Sequence, residues 1–307
     1  MQSAFRLFSP DLPPPENRCP TVAYVIGRYL DHAASRLSPR WLIEVRRMLA
    51  DFAADNGQRI VESCRGLILE AWIDGHSQWG DTTKNGACRI VQRAFNWAEL
   101  VGLIDRNPFK GISHQPGEPG EPMLDADVRK VLAASDASFR QVVIFLLFTG
   151  ARPGEMAAIR RSDVRAGLEA GLPAAIVRTR HKTARHGKPR IICLHPVPGK
   201  LVAYLLRRFP RHDHVFCNSR GKPWTRNAWS LRMKRLRDDG IIAAGVRLYG
   251  LRHAFGTRMA RAGVHPKAIS EQMGHTTTRM TERYLHLAGD VAHLQQSLLK
   301  GMAEPFG

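Results

Sequence analysis

Nothing in the 307-residue sequence approaches the run of about 20 apolar residues that a membrane-spanning helix needs. The segment VVIFLLF at 142–148 is too short for that and reads as a buried helix or strand. The first residues, MQSAFRLFSPDLPPPENRCP, lack the charged-then-apolar order of a secretion signal. Cysteine is scarce. Cys19, Cys64, Cys88, Cys193 and Cys217 are an odd number without a C-x-x-C pair, which speaks against a disulfide framework and for reduced thiols in the cytoplasm. No G-x-x-x-x-G-K-[ST] loop is present to cradle a nucleotide's phosphates, and neither H-E-x-x-H nor G-x-S-x-G occurs. His212, His214 and Cys217 in HDHVFC are three nearby donors without a fourth, and they read as structural residues. No metal and no cofactor is expected. Internal repeats, heptad arrays and low-complexity blocks are absent as well.

Acidic residues are also in deficit: 27 Asp and Glu face 46 Lys and Arg, for a net charge of +19. Charge on that scale favours a polyanionic partner through steering and through counterion release from phosphates. A merely soluble basic protein is the alternative. An anionic membrane surface fits less well, because no lysine-rich amphipathic helix stands apart from the core. With 44% hydrophobic residues the chain has the means to build a core, and its length suits two domains.

Residues 1–17, with their PDLPPP run, read as a flexible tail, and residues 18–106 as a helical domain. In SPRWLIEVRRMLADFAADNG, Ser38 is placed as a cap, Pro39 at the first helical position and Gly57 at the end. Leu42, Val45, Leu49 and Phe52 recur at helical spacing between them. In DTTKNGACRIVQRAFNWAELVG, Asp81 is the expected cap and Gly102 the stop. Prolines and glycines then break every period over 107–122, the expected linker. Residues 123–288 are mixed. LDADVRKVLAAS and SFRQVVIFLLFTG predict helices, and AAIVRTRHKTARHGKPRIICL predicts two strands around a basic turn. Further helices are expected near 197–209, 225–239, 247–262, 265–273 and 277–287. Residues 289–307 form a C-terminal helix or tail. Its apolar Val291, Leu294 and Leu298 could pack on their own domain or on a neighbouring protomer. The fold class is therefore mainly α with a small β-sheet: an all-helical N-terminal domain followed by an α+β domain.

Chemistry concentrates in the second half. In FTGARPGEMAAIRRSDV a buried helix ends at Gly150, and Arg152 stands where Pro153 opens another. A guanidinium held at such a junction presents its planar fork to a phosphate, with Glu155 one turn on to brace it. The same two residues could equally be a surface ion pair. Lys182 sits near the hairpin turn, where it could donate a proton to a leaving oxygen or simply join the solvated charges around it. In RLYGLRHAFGT, Tyr249 and Arg252 are three apart and are expected to share a helix face. His275 follows in EQMGH, and Tyr284 nine residues later. A phenol with a pKa of about 10 attacks nothing unaided. Two arginines, a lysine and a histidine would suit it to phosphoryl transfer, the guanidinium groups neutralising the phosphate where a metal ion otherwise would.

TGARPGE, a basic hairpin, YGLRHAFGT, MGH and RYLH in that order resemble the tyrosine recombinase (phage integrase) family, over about 123–287. The helical segment before them is similar to that family's core-binding domain. The resemblance implies that Arg152 and Arg252 bind the phosphate, Lys182 is the hairpin lysine, His275 bonds a phosphate oxygen and Tyr284 is the nucleophile. It implies site-specific cleavage and rejoining of DNA through a 3′-phosphotyrosyl intermediate, as by the integrase of a phage or other mobile element. It further implies a C-shaped clamp on duplex recombination sites, a homotetramer on DNA, accessory DNA-bending proteins and a cytoplasmic, nucleoid-associated location. Tyr249 departs from the family pattern, standing where H-x-x-R has its histidine. A type IB topoisomerase would share the phosphotyrosine chemistry without joining two sites. A repressor-like DNA-binding protein would keep the basic surface and tolerate loss of Tyr284.

Overall fold

The computed structural model describes residues 19–115, 117, 121–166, 173–179, 189–275 and 281. The chain divides into two compact units, Met1–Pro119 and Gly120–Gly307.

Among the described residues, four α-helices build the first unit: α1 (Val22–Ala34), α2 (Pro39–Asn56), α3 (Gly66–Gly75) and α4 (Asp81–Leu100). Pro39 opens α2 as expected, because its fixed φ suits the first turn and its missing N–H costs nothing there. Val45, Leu49 and Phe52 carry the buried stripe of α2, and Ile90, Val91, Ala94, Phe95 and Ala98 that of α4. One cap differs from expectation. Gly80 holds the cap of α4 and Asp81 is the first helical residue, where its carboxylate lies at the positive end of the helix dipole. The proline- and glycine-rich segment after α4 begins inside this unit. Phe109 is fully buried and meets Phe52 and Phe95 edge-on, with centroids 5.6 and 4.8 Å away. Gln92 donates to Phe109 O at 3.0 Å. Breaking every period therefore marks a lack of regular structure, not a lack of packing.

The second unit contains α5 (Asp125–Ala134), α6 (Ala137–Thr149), the short α7 (Pro153–Ala157), β1 (Val164–Ala166), β2 (Pro173–Arg178), β3 (Arg190–Cys193), α8 (Pro196–Arg208), α9 (Arg226–Asp238), α10 (Gly250–Arg261) and α11 (Pro266–Met273). VVIFLLF resolves as helix: α6 buries Phe139, Val142, Val143, Phe145 and Leu146 at the centre of the unit, against α8 and α10. The strands form an antiparallel sheet in the order β1-β2-β3, pairing Val164 with Ile176 and Ile176 with Ile192. Ile176 and Ile192 face the core that α6 and α8 share. β1 is a strand the sequence pattern did not signal, since three residues are too few to show alternation. Among the described residues β3 pairs with β2 alone, and no strand lies beside its second edge.

No described helix is long and apolar enough to cross a membrane. All five cysteines are free thiols. The described residues hold no group of three His, Cys, Asp or Glu side chains placed to bind a metal, HDHVFC included.

Candidate active site

Two left-handed glycines organise the centre of the second unit. Gly150 ends α6 with φ 63°, and Gly274 ends α11 with φ 68°. Glycine adopts this conformation without steric cost, and here the turn also aims the last carbonyls of each helix inward. Arg252, on α10, is only 2% exposed, and its Nη1 donates to Gly150 O at 2.7 Å and to Met273 O at 2.6 Å. Arg152 caps α7, and its Nη2 donates to Gly274 O at 3.0 Å. The two guanidinium groups thus anchor on successive carbonyls, those of residues 273 and 274, and the next residue is His275. The histidine's Nδ1 lies 2.8 Å from Thr281 Oγ1, and its backbone N–H donates to Ser270 O at 2.9 Å.

Glu155 does brace Arg152, in two places. One carboxylate oxygen accepts the Arg152 backbone N–H at 3.1 Å and the other accepts Nη1 at 2.7 Å. Burial alone would raise the Glu155 carboxyl, but the Arg190 and Arg152 guanidinium groups outweigh it and hold it below the usual carboxylate range. This is a largely enclosed cluster, not the solvated ion pair that the sequence also allowed.

Tyr249 and Arg252 do not share an environment. Tyr249 occupies the cap position of α10 and is 42% exposed, whereas Arg252, inside the helix, is buried. The backbone at Tyr249 is already helical, with φ −64° and ψ −22°, and its carbonyl accepts the Arg252 N–H at 3.0 Å, so the two stand one turn apart as the spacing predicts and differ in burial. The Tyr249 ring instead meets the buried His253 edge-on, with centroids 5.1 Å apart. Lys182 and Tyr284 lie outside the described residues. The structure brings Arg152, Arg252 and His275 together and sets Tyr249 on the surface of the same helix that carries Arg252.

Sequence reasoning missed two contributors, Arg190 and Gln272. Arg190 is 5% exposed at the start of β3, with Nη1 on Glu271 O at 3.1 Å, Nη2 on Gln272 O at 2.7 Å and Nε 3.6 Å from Glu155 Oε2. Strand alternation held the signal: in RIIC, Arg190 and Ile192 take the inward positions, and a charge on an inward face demands buried partners. These residues border a cleft of about 1200 Å³, beside Cys193, Gly274 and His275.

Gly274 fits because nothing projects from it. A Cβ there would lie 2.5 Å from Arg190 Nε, whereas one at Gly263, which has φ 74°, would meet nothing within 4 Å. Gly263→Ala should therefore cost only the left-handed backbone penalty, about 1–2 kcal/mol. Gly274→Ala should lower the melting temperature by clearly more, because Arg190 must also move. Equal shifts for the two variants would show that the contact with Arg190 is slack.

The sequence pattern of the phage integrase family matches residues 121–290. The chain is 26% identical over 260 residues to the tyrosine recombinase XerD of Ralstonia nicotianae, covering 78% of this chain and 80% of that one. It is 25% identical over 246 residues to the integrase of Mycobacterium phage FRAT1, covering 74% and 72%. Among solved structures, the Tn1549 transposon integrase in complex with transposon right-end DNA superposes with a TM-score of 0.69 at 18% identity, over 91% of this chain and 99% of that one. A lambda integrase tetramer bound to a Holliday junction gives 0.70 at 17% identity, over 92% and 84%.

Proposed function

Because the chain belongs to the phage integrase family and is a site-specific DNA recombinase of the tyrosine type, we propose that Tyr284 opens one strand of its recombination site. The phosphorus gains a bond to the phenolic oxygen, whose proton passes to water, and loses the 5′ oxygen, leaving a 3′-phosphotyrosyl enzyme and a free 5′-hydroxyl. The phosphodiester's energy stays in the covalent link, so a partner strand's hydroxyl reverses the step and strands are exchanged. Arg152 and Arg252 neutralise charge on the non-bridging oxygens as it builds in the transition state. His275 bonds one of those oxygens. Lys182, in the connection between β2 and β3, gives its proton to the departing 5′ oxygen.

The observation that carries this reading is the seating of two guanidinium groups on the carbonyls of residues 273 and 274, directly before His275. Two main-chain oxygens hold Arg252, and one main-chain oxygen with the Glu155 carboxylate holds Arg152, so both guanidinium groups are fixed in place before a phosphate arrives. The net charge of +19 supports DNA as the partner. In this reading residues 18–106 are the core-binding domain, 107–122 the linker and 123–288 the catalytic domain, with 289–307 docking on a neighbouring protomer. A homotetramer on two sites, helped by DNA-bending proteins and working at the nucleoid of a phage-carrying or element-carrying cell, completes it. The test is covalent capture. The chain is incubated with a pool of randomised duplexes, denatured, and the DNA still attached to protein is sequenced. A recovered common sequence supports the reading, and failure to trap any duplex refutes it.

Tyr249 has a role of its own here. Its exposed hydroxyl can hydrogen-bond a phosphate oxygen but cannot accept a proton as neutral imidazole does. Tyr249→Phe should slow single-turnover cleavage about 10- to 100-fold. Tyr249→His should be tolerated and add a titration near the imidazole value of about 6.5 to the pH–rate profile. A fully active Phe variant would remove Tyr249 from the chemistry.

A further inference from the structure

We infer that Arg190 is a positioning residue for the general acid, holding the strand that carries the Lys182 connection against the turn that carries His275. The inference rests on the reading of Lys182 given above. Among the described residues β3 has a strand, β2, on one edge only. On its other edge two side chains replace the missing strand. Arg190, the residue that opens β3, forks onto Glu271 O and Gln272 O at the end of α11. Gln272 answers from the other side: its carboxamide accepts from Cys193 N at 3.1 Å and donates to Cys193 O at 3.0 Å, as a paired strand would. Both ends of β3 are thereby fastened to α11.

The fastening is one-sided in its consequences. The phosphate clamp keeps its hydrogen bonds without Arg190 and loses only the ion pair of Arg190 Nε with Glu155 Oε2 at 3.6 Å. Arg152 retains both bonds to Glu155 and its bond to Gly274 O, and Arg252 retains Gly150 O and Met273 O. His275 retains its backbone bond to Ser270 O. β3 loses more, because its remaining regular partner is β2, which belongs to the same hairpin. The last carbonyls of a helix lack intrahelical partners, and a buried guanidinium satisfies two of them here. Removing Arg190 therefore loosens the hairpin and the proton donor it carries, while the groups that stabilise the phosphate stay in place. A displacement of about 1 Å at a proton donor is enough to cost about 100-fold in rate.

The experiment uses the full chain and the duplex recovered by covalent capture, synthesised with either the ordinary 5′ oxygen or a 5′ sulfur at the scissile bond. A thiolate leaves without being protonated, so the sulfur substrate makes no demand on the general acid. Arg190→Met should lower single-turnover cleavage of the oxygen substrate about 100-fold and that of the sulfur substrate less than about threefold. Arg190→Lys, which keeps one donor head but not the fork, should fall between Met and the parent on oxygen alone. Gln272→Ala should show the same selectivity with a loss of about tenfold, and it decides the matter if Arg190→Met melts below the assay temperature. Equal losses on both substrates, or none on either, overturn the inference. A parent chain that cleaves neither substrate overturns the reading of the function and this inference with it. A parent that cleaves both, with no selectivity in the variants, overturns the inference alone.

Discussion

A Tyr284→Phe chain is expected to bind its duplex as tightly as the parent and to yield no denaturant-resistant protein–DNA adduct. The substitution removes a single oxygen, the atom that would form the bond to phosphorus, and no other group on the proposed path can replace it as a nucleophile. Electrostatic contacts with the DNA backbone, which supply most of the affinity of so basic a chain, are untouched. Measuring the equilibrium affinity and the adduct side by side separates loss of chemistry from loss of binding. An adduct that survives in the Phe variant would point to Tyr249, the exposed phenol on the helix of Arg252, and would overturn the assignment of Tyr284.

Arg252→Lys is the second large effect. Lysine keeps the charge but offers a compact ammonium in place of a planar fork, so it cannot hold Gly150 O and Met273 O and still reach a phosphate. Cleavage should fall about 1,000-fold, the scale set by losing one preorganised donor from a transition-state oxyanion. Affinity for uncleaved DNA should change less than tenfold, because about one phosphate contact among many is altered. The buried setting adds a stability cost: a carbonyl left without its donor costs about 1–3 kcal/mol, so the melting temperature must be recorded with the rate. Equal losses in rate and affinity would reduce Arg252 to an ordinary backbone-positioning contact.

Much of this site was legible because its residues punctuate the chain. Gly150 after a buried apolar run and Gly274 before His275 announce helix ends, and Arg152 before Pro153 announces a helix start. Regular helices such as α2 declared themselves by spacing. What stayed hidden depends on partners distant in sequence. Arg190 looks like one more charge in a basic hairpin until α11, 81 residues away, is folded against it. Phe109 looks like part of a linker until its ring sits between Phe52 and Phe95. Tyr249 shows a different limit. Its three-residue spacing to Arg252 holds in the structure, but spacing does not say which of two neighbours on one turn is buried.

Both arginines proposed to bind the phosphate rest on main-chain oxygens, those of residues 150, 273 and 274. Every amino acid carries that oxygen, so random substitution at Met273 would leave its acceptor intact. The clamp is thereby insulated from most sequence drift in its surroundings. A laboratory selection for new DNA targets could randomise broadly around the site without unseating the arginines. The exceptions are Glu155, whose carboxylate braces Arg152, and the two points where the chain must turn to the left. Libraries that hold Gly150 and Gly274 fixed should retain far more active members than libraries of equal size that vary them.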